Sequence, residues 1–578
     1  MRSKSAVVGG FQVFAVAGTN SVSFGVSVAD ASRPGLLGFS VKRTDSPKGK
    51  PHYLLGYKVF PSTVKNPDAS SSVSTYKEPV QSLVWDDFTC SPGHTYSYVF
   101  QPLKGTPAKL DRSTPPIPIT VTTEPLFGSS HDIFFNRGVA SSQAYALEFG
   151  NLAPDKQPTA AKQAAAFAWL GRDLEPALVK FIRSAKSGDQ LRCAFYEFAY
   201  LPVLTEFAAA ITRGVDVKLI VDEKPNAAKD PLTENLAAIT ASGLPASAII
   251  PRVARKNVIA HNKFMVLVPG GTKATEVWTG STNLTDNGFF GQANVGHWVR
   301  DAQVADKFLQ YWVQLSSDPG GQATDSAAVT KQKNAALYAE VAALTPSPAI
   351  GAIPTGVTPI FSPRTGLDPL NLYGLLLSGS ADLACATFPF TIPSTYKDAL
   401  AKNTPAGPLV FLLFDTAEAP NPKAVTPYVK LSAANNVYEA AGSEFTTAVG
   451  KWMVETDARR LGFAVNVAFI HCKFMLHDPL GADPIVVSGS ANFSAASTEE
   501  NDENMIIVRG DKRVADIYFT EFNRLFNHYY FRFVSSKTAS DPPSPGSLSL
   551  LEDDSWLENY KPGSLRTKRV QQFIDMVL

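Results

Sequence analysis

The sequence predicts an all-β domain followed by a duplicated α/β unit, and three observations lead to this fold class. Short runs of alternating apolar and polar residues fill residues 1–125. From about residue 160, helix and strand patterns alternate, as in β-α-β units with parallel strands. Two stretches of this later region carry the same short motifs some 210 residues apart, which indicates an internal repeat.

The composition is typical of a large globular protein. The chain has 578 residues, of which 44% are hydrophobic and 18% charged, enough for several domains. No apolar run reaches the roughly 20 residues that a membrane-spanning helix needs, so we expect no integral membrane segment. A net charge of +1 argues against bulk nucleic-acid binding but leaves room for a small basic cleft.

The four cysteines are widely spaced and form no CxxC pair, which favours free thiols over a disulfide framework or a zinc site. Free thiols indicate a reducing compartment, so a cytoplasmic location is expected, with secretion by a non-obvious route left open. A monomer is also expected.

Residues 1–125 are predicted to form a β-sandwich accessory domain. Apolar residues alternate over residues 11–17 and again over 22–28, on either side of a turn, which predicts a β-hairpin. The same stretch has features of a secretory signal peptide, but Gln12 interrupts its apolar run, so the hairpin is favoured. The proline-rich segment 114–118 and the strand after it resemble the exit of a fibronectin-like sandwich.

Residues 126–345 and 346–535 are predicted to be the two α/β halves. In the first, helical patterns at 174–182 and 203–212 precede strands at 191–196 and 217–222. The second half repeats this order between residues 384 and 415. The aromatic-rich segment 518–530 has the spacing of a core helix, and residues 536–578 are expected to pack on the catalytic domain.

The repeat is defined by four blocks in nearly constant register. His261-x-Lys263 matches His471-x-Lys473, and the Gly-Ser-x-Asn motif at 280–283 matches that at 489–492. Asn294 matches Asn504, and Val304-Ala305-Asp306 matches Val514-Ala515-Asp516. Each block recurs after 209 or 210 residues, which composition alone cannot produce.

These motifs suit a phosphodiester substrate. In a strand, residues i and i+2 share a face, so each His projects beside its Lys. Two halves facing each other would surround one pocket with two imidazoles, two ammonium groups, two hydroxyls and two amides. One imidazole can attack phosphorus while the other protonates the leaving alcohol. The lysines stabilise the developing negative charge, so no metal ion or other cofactor is expected.

The paired motifs resemble those of the phospholipase D superfamily over residues 130–535. The resemblance implies two similar α/β sandwich halves that share one active site, and phosphoryl transfer through a phosphohistidine that water or another alcohol resolves. It makes His261 the nucleophile and His471 the general acid and later base. The implied phosphate-binding residues are Lys263, Lys473, Asn283 and Asn492, with help from Ser281 and Ser490.

The resemblance also implies residues that orient the histidines. In the family a carboxylate or amide after Gly-Ser-x-Asn holds the histidine of its own half. Glu503 would then orient His471, and Gln292 would orient His261. The family's Asp five residues after the motif Lys is present as Asp478 in the second half, whereas Val268 replaces it in the first.

Carboxylates at strand ends leave two interpretations open. Asp222 and Asp415 end equivalent predicted strands, and Glu197 follows another. Such residues either face the site or cap the next helix.

Three functions remain in competition. The first is a phospholipase D-like hydrolase of phospholipids or related phosphodiesters, with transfer to alcohols as an open second outcome. The second is a nuclease of the same superfamily, which needs a basic groove that the balanced charge does not favour. The third is a non-catalytic lipid- or phosphate-binding protein, against which two complete His/Lys pairs argue.

Overall fold

The computed structural model describes residues 1–45, 49–65, 72–138, 145, 148–150, 152–224, 232–416, 431–442, 469–538 and 549–578, with backbone only for 531–538. Within these residues no helix combines the length and the apolar character of a membrane span.

The N-terminal region is a sandwich of two antiparallel sheets. Its strands are β1 (Arg2–Lys4), β2 (Phe11–Ala17), β3 (Val22–Val28), β4 (Gly38–Asp45), β5 (His52–Tyr53), β6 (Leu55–Gly56), β7 (Val73–Ser74), β8 (Val84–Asp87), β9 (Thr95–Thr106), β10 (Lys109–Asp111) and β11 (Ile117–Thr122). One sheet has the order β1-β2-β3-β8, and the other β10-β9-β4-β5 with β11 also on β9, while β6 and β7 form a separate two-stranded sheet. The predicted hairpin is confirmed, since β2 and β3 pair with Phe11 opposite Val28.

The catalytic region contains two sheets of seven strands each. The first comprises β12 (His131–Phe135), β13 (Gln190–Phe195), β14 (Asp216–Asp222), β15 (Ile249–Arg252), β16 (Lys263–Val268), β17 (Glu276–Gly280) and β18 (Val295–Val299). The second comprises β19 (Gly356–Ser362), β20 (Leu383–Phe388), β21 (Leu409–Phe414), β22 (Val437–Ala441), β23 (Phe474–His477), β24 (Ile485–Gly489) and β25 (Glu503–Arg509).

The two sheets correspond strand for strand. Their orders are β12-β18-β17-β16-β13-β14-β15 and β19-β25-β24-β23-β20-β21-β22. In each, three neighbouring strands run parallel, as the predicted β-α-β units require, and the strand after the His-x-Lys motif pairs antiparallel with the first of them. The predicted duplication of an α/β half is therefore confirmed.

Helices cover both sheets and fill the space between them. They are α1 (Ala160–Gly171), α2 (Leu174–Ser184), α3 (Leu201–Thr212), α4 (Leu232–Ser242), α5 (Ala302–Ser316), α6 (Ala327–Leu344), α7 (Asp368–Ser378), α8 (Ser394–Leu400), α9 (Ala495–Glu499), α10 (Lys512–Thr538) and α11 (Leu565–Ile574). Helices α5 and α10 belong to one apolar core that contains residues of both sheets. The aromatic-rich segment is buried in α10, through Tyr518, Phe522 and Phe526, as a core helix should be.

The C-terminal tail differs from its prediction. Trp556 and Tyr560 belong to the core of the N-terminal sandwich, and the Tyr560 hydroxyl accepts a 2.8 Å hydrogen bond from the backbone N–H of Leu83. Near the end of the chain, Phe573 and Met576 join the core of the catalytic region. The tail therefore packs on the β domain, whose smaller core its aromatic residues complete, as well as on the catalytic region, where the prediction placed it.

Candidate active site

The two His-x-Lys motifs meet where the halves face each other. The backbone N–H of Ala293, just before β18, donates to the carbonyl of Phe469 at 2.7 Å, and the N–H of His471 donates to the carbonyl of Ala293 at 3.1 Å. The symmetric contact joins the N–H of Asp502 to the carbonyl of Ile259 at 3.2 Å. Each motif is thus bound to the start of a strand from the opposite half, and one shared site results.

His261 is oriented by a carboxylate from the other half. Both oxygens of Glu503 lie 2.9 Å from Nδ1 of His261, and both side chains are buried. The prediction that Glu503 serves His471 is wrong. The reason is geometric: β25 remains in the second sheet, but its first residue, Glu503, lies where the two halves meet and its side chain contacts the first motif.

His471 is oriented by an amide, again from the opposite half. Its Nδ1 lies 3.0 Å from Oδ1 of Asn294, and Nδ2 of Asn294 donates to the Gly288 carbonyl at 2.9 Å. Because that second bond sets the amide orientation, Nδ1 of His471 must be the donor, so Nε2 carries the lone pair when the ring is neutral. The expectation that Gln292 orients His261 is therefore also wrong, since Glu503 occupies that nitrogen and Asn294 acts on His471.

The hydrogen bonds also correct the alignment of the repeat. Asn294 accepts from the hydroxyl of Ser281 at 2.8 Å, and Glu503 accepts from that of Ser490 at 2.6 Å. Asn294 is therefore equivalent to Glu503. The match between Asn294 and Asn504 in the sequence is a coincidence, because Asn504 lies one residue beyond the equivalent position.

The two serines are positioning residues in this structure rather than phosphate ligands. Each fully buried hydroxyl donates to the residue that orients a histidine and accepts a backbone N–H, from Val295 in one half and Asn504 in the other. The preceding glycines allow this close approach. A Cβ on Gly280 or Gly489 would lie 2.2 Å from a carbonyl oxygen of the neighbouring strand.

The two lysines supply positive charge at the same place. Nζ of Lys263 donates to the backbone carbonyl of His261 at 2.7 Å, and Nζ of Lys473 to that of His471 at 2.6 Å. Burial lowers the pKa of Lys263 to about 8. Burial, and then the charge of Lys263, lower the pKa of Lys473 well below its ordinary value.

The titration of the remaining groups follows from burial beside these lysines. Burial, followed by the charges of the two lysines, lowers the pKa of His261 and of His471 well below the usual histidine value. Burial raises the pKa of Glu503 to about 7, although the charge of Lys263 opposes that shift. These shifts favour the neutral form of both imidazoles, and an arriving anion would favour their protonated forms.

The two motif asparagines differ in their surroundings. Nδ2 of Asn283 donates to a carboxylate oxygen of Glu197 at 2.5 Å. The Oδ1 atoms of Asn283 and Asn492 are buried without a hydrogen-bond partner among the residues that the structure describes. An amide oxygen accepts hydrogen bonds and cannot bind a phosphate oxygen, so the predicted contact of either asparagine with a phosphate would have to come from its Nδ2 group.

The strand-end aspartates Asp222 and Asp415 hold the motifs. Asp222 accepts from the backbone N–H of Ala260 at 2.7 Å. Asp415 accepts from the N–H groups of Phe469 and Ile470 at 2.6 and 2.8 Å. Each aspartate thus restrains the backbone just ahead of a catalytic histidine, and the two act at equivalent positions.

The missing family aspartate is replaced from a neighbouring segment. Asp478 accepts from the backbone N–H groups of residues 381–383, which ties the end of β23 to the start of β20. In the first half, where Val268 stands instead, Asp189 accepts from Gly270 N–H at 2.8 Å and ties together the same two segments. The presence of Val268 in place of the family's aspartate is therefore compensated by Asp189 and leaves the site intact.

Two groups of the site were not assigned from the sequence. Asn294 entered only as a repeat marker, and Glu197 only as one of three strand-end carboxylates. The spacing of Asn294 from Gly-Ser-x-Asn was visible in the sequence, but its contact with the histidine of the opposite half was not. Within the described residues, no group of three or more His, Cys, Asp or Glu could hold a metal ion.

A comparison with known protein families agrees with the duplication. A family model described as cardiolipin synthase, PLD-like domain, matches residues 178–315 and 383–526. A search of curated proteins gives no significant match.

Similar solved structures include phosphatidylserine synthase of Haemophilus influenzae Rd KW20, at 13% identity over 70% of this chain and 93% of that one, with a TM-score of 0.42. Nuc of Salmonella typhimurium, a phospholipase D family member, is 28% identical over 24% of this chain and 84% of its own, with a TM-score of 0.20. Polyphosphate kinase of Porphyromonas gingivalis matches at 10% identity over 59% of this chain, with a TM-score of 0.35, and the match spans only 46% of that enzyme.

The family model accounts for both halves, and each matched segment contains one His-x-Lys motif and one Gly-Ser-x-Asn motif. The chain belongs to the phospholipase D superfamily.

Proposed function

We propose that the protein is a metal-independent phosphodiesterase that hydrolyses phospholipids or related phosphodiesters through a phosphohistidine on His261. The observation that carries the proposal is the unequal pairing of the two imidazoles. A carboxylate holds His261 and a neutral amide holds His471, with two buried lysines beside them. A carboxylate at Nδ1 stabilises the positive charge that an imidazole acquires when it forms a bond to phosphorus.

In the first step, Nε2 of His261 attacks phosphorus and the bond to one ester oxygen breaks. His471 donates the proton from its Nε2 to the departing alcohol oxygen, so the alcohol leaves neutral. Its low pKa makes the protonated form of His471 a strong acid. Glu503 keeps the Nδ1 proton of His261 in place throughout the step.

In the second step, His471 accepts a proton from a water molecule whose oxygen attacks phosphorus. The bond between phosphorus and His261 breaks, and the free imidazole is restored. An alcohol in place of that water would give a transferred phosphodiester. Lys263, Lys473 and the two motif asparagines would bind the non-bridging oxygens in both steps.

The test measures turnover in the presence of EDTA on phosphatidylcholine vesicles, bis-p-nitrophenyl phosphate and single-stranded DNA. We expect choline and p-nitrophenol release by the wild type, and a loss of at least about 1,000-fold in His261→Ala. His94→Ala is the matched control, because His94 is an exposed imidazole of the N-terminal sandwich. DNA cleavage without choline release would replace the lipid substrate with nucleic acid, and equal rates in wild type and His261→Ala would refute the proposed chemistry.

A further inference from the structure

One carboxylate of the site plays no part in the two-step reaction. Glu197 follows β13, and its side chain accepts the 2.5 Å hydrogen bond from the phosphate-binding amide of Asn283. The nearby charges that act on it most strongly include Lys263 and Lys473. A negative charge beside groups that bind a phosphate anion weakens that binding, so its presence needs an explanation.

The backbone around Glu197 is tightly held. Its carbonyl accepts from the N–H of Leu284, the residue after Asn283, at 3.1 Å. The fully buried Asn235 donates to the carbonyl of Tyr196 at 2.9 Å and accepts from the N–H of Phe198 at 2.7 Å. Both neighbours of Glu197 are thus bound to the Asn235 side chain, and these bonds fix the backbone that carries the carboxylate.

The other half carries no charge at the matching position. Phe195 pairs with Lys263 in the first sheet, and the same register continued in the second sheet sets Phe388 against Lys473. Two residues further on, Glu197 therefore corresponds to Phe390, whose side chain is half exposed. The carboxylate is a property of one half and not a requirement of the fold.

We propose that Glu197 is a charge filter, a residue that favours the singly charged phosphodiester over the doubly charged phosphomonoester in this site. The inference rests on the proposed hydrolysis, which turns a diester monoanion into a monoester. A monoester has a second pKa of about 6 and so carries close to two negative charges at neutral pH. The repulsion from Glu197 doubles with the charge of the ligand, so the product is disfavoured more than the substrate and leaves faster.

The burial of Glu197 makes this discrimination effective. Its side chain is only partly exposed, and charges act more strongly on each other where water is largely excluded. Burial raises the pKa of Glu197 while Lys263 and Asn283 oppose that shift, so the filter should operate best at mildly alkaline pH.

The test compares calorimetric dissociation constants of inorganic phosphate and dimethyl phosphate at pH 8, which need no turnover. In Glu197→Gln we expect phosphate to bind at least about tenfold more tightly relative to dimethyl phosphate than in the wild type. Glu197→Asp, which keeps the charge, should retain most of the wild-type ratio. Glu234→Gln is the matched control, since Glu234 is an exposed carboxylate on α4 whose charge also acts on Glu197. Its ratio should change less than about twofold.

An unchanged ratio in Glu197→Gln, or an equal change in Glu234→Gln, would overturn the filter. These results are independent of the proposed reaction, which bis-p-nitrophenyl phosphate hydrolysis tests separately. A wild type without turnover whose ratio still shifts in Glu197→Gln would refute the reaction and support the filter.

Discussion

The two halves of the catalytic region have the same strand order but different chemistry at equivalent positions. Glu503 in the second half stands where Asn294 stands in the first, and both cross to the opposite histidine. Glu197 in the first half stands where Phe390 stands in the second. The shared backbone brings two imidazoles and two lysines together at one site. In the proposed mechanism, the differences decide which imidazole attacks and which one transfers protons.

The largest expected effect separates the two histidines. With p-nitrophenyl esters, whose leaving group departs without a proton, His471→Ala should still form the phosphoenzyme but lack the base that activates water. We expect a burst of about one p-nitrophenol per enzyme, with steady-state turnover reduced about 1,000-fold or more. His261→Ala should show no burst. Mass spectrometry of the quenched enzyme should find the phosphoryl group on His261, and its appearance on His471 would reverse the two roles.

The next effect concerns the residues that orient the histidines. Glu503→Gln should lower kcat by about 100-fold or more, since it removes the charge that stabilises the His261 cation. Asn294→Ala should lower kcat only about tenfold, because it removes a neutral hydrogen bond. An equal loss of kcat in the two variants would contradict the distinction between the carboxylate and the amide.

The pH dependence sharpens the same comparison. Because the pKa of Glu503 is about 7 in the folded protein, kcat/KM of the wild type should fall about tenfold per unit below pH 7. Glu503→Gln should lack this limb. Persistence of the limb in Glu503→Gln would assign it to another group.

Glu503 should also leave a signature in stability. Its pKa is about 7 when folded and ordinarily 4.5, so between these values the folded state retains a proton that the unfolded state releases. The contribution of Glu503 to the free energy of unfolding therefore declines as pH rises from 4.5 to 7, by about 3 kcal/mol in total. Urea unfolding at a series of pH values should show the free energy of unfolding of Glu503→Gln rising relative to that of the wild type across this window. Outside the window, the difference between the two proteins should stay constant.

The smallest effect concerns the aspartates that hold the motifs. Asp222→Asn should destabilise the protein by about 1–3 kcal/mol, since Asp222 also forms a buried ion pair with Lys224 at 3.0 Å. Its effect on kcat should be less than about tenfold, because the carboxylate acts on the backbone of Ala260 and not on the reacting atoms. Thermal unfolding and turnover on bis-p-nitrophenyl phosphate measure the two effects separately.

The duplicated fold could be predicted from the sequence because repeated motifs and alternating patterns are local signals. His261, Lys263, His471 and Lys473 were found in the same way. Glu503 was assigned to the histidine of its own half and Asn294 to neither histidine, because their contacts span 242 and 177 residues along the chain. Spacing within one repeat does not show which half a side chain will contact. The match between Asn294 and Asn504 also suggested an equivalence that the structure does not have.

The role of the serines was misjudged for a related reason. A hydroxyl in a Gly-Ser-x-Asn motif can serve a ligand or a neighbouring side chain, and only the fold decides between them. Ser281 and Ser490 lie in the interior, and each contacts the group that orients a histidine. This arrangement follows from the close approach of strands that Gly280 and Gly489 permit.

The exchange of orienting residues has an evolutionary consequence. In a symmetric dimer of the first half alone, every imidazole would receive the same amide from its twin, and any substitution there would alter both reaction partners at once. Fusion of two copies into a single polypeptide frees that position to diverge, so one imidazole can gain a carboxylate while the other keeps an amide. The covalent link thereby allows nucleophile and proton donor to be tuned by independent mutations.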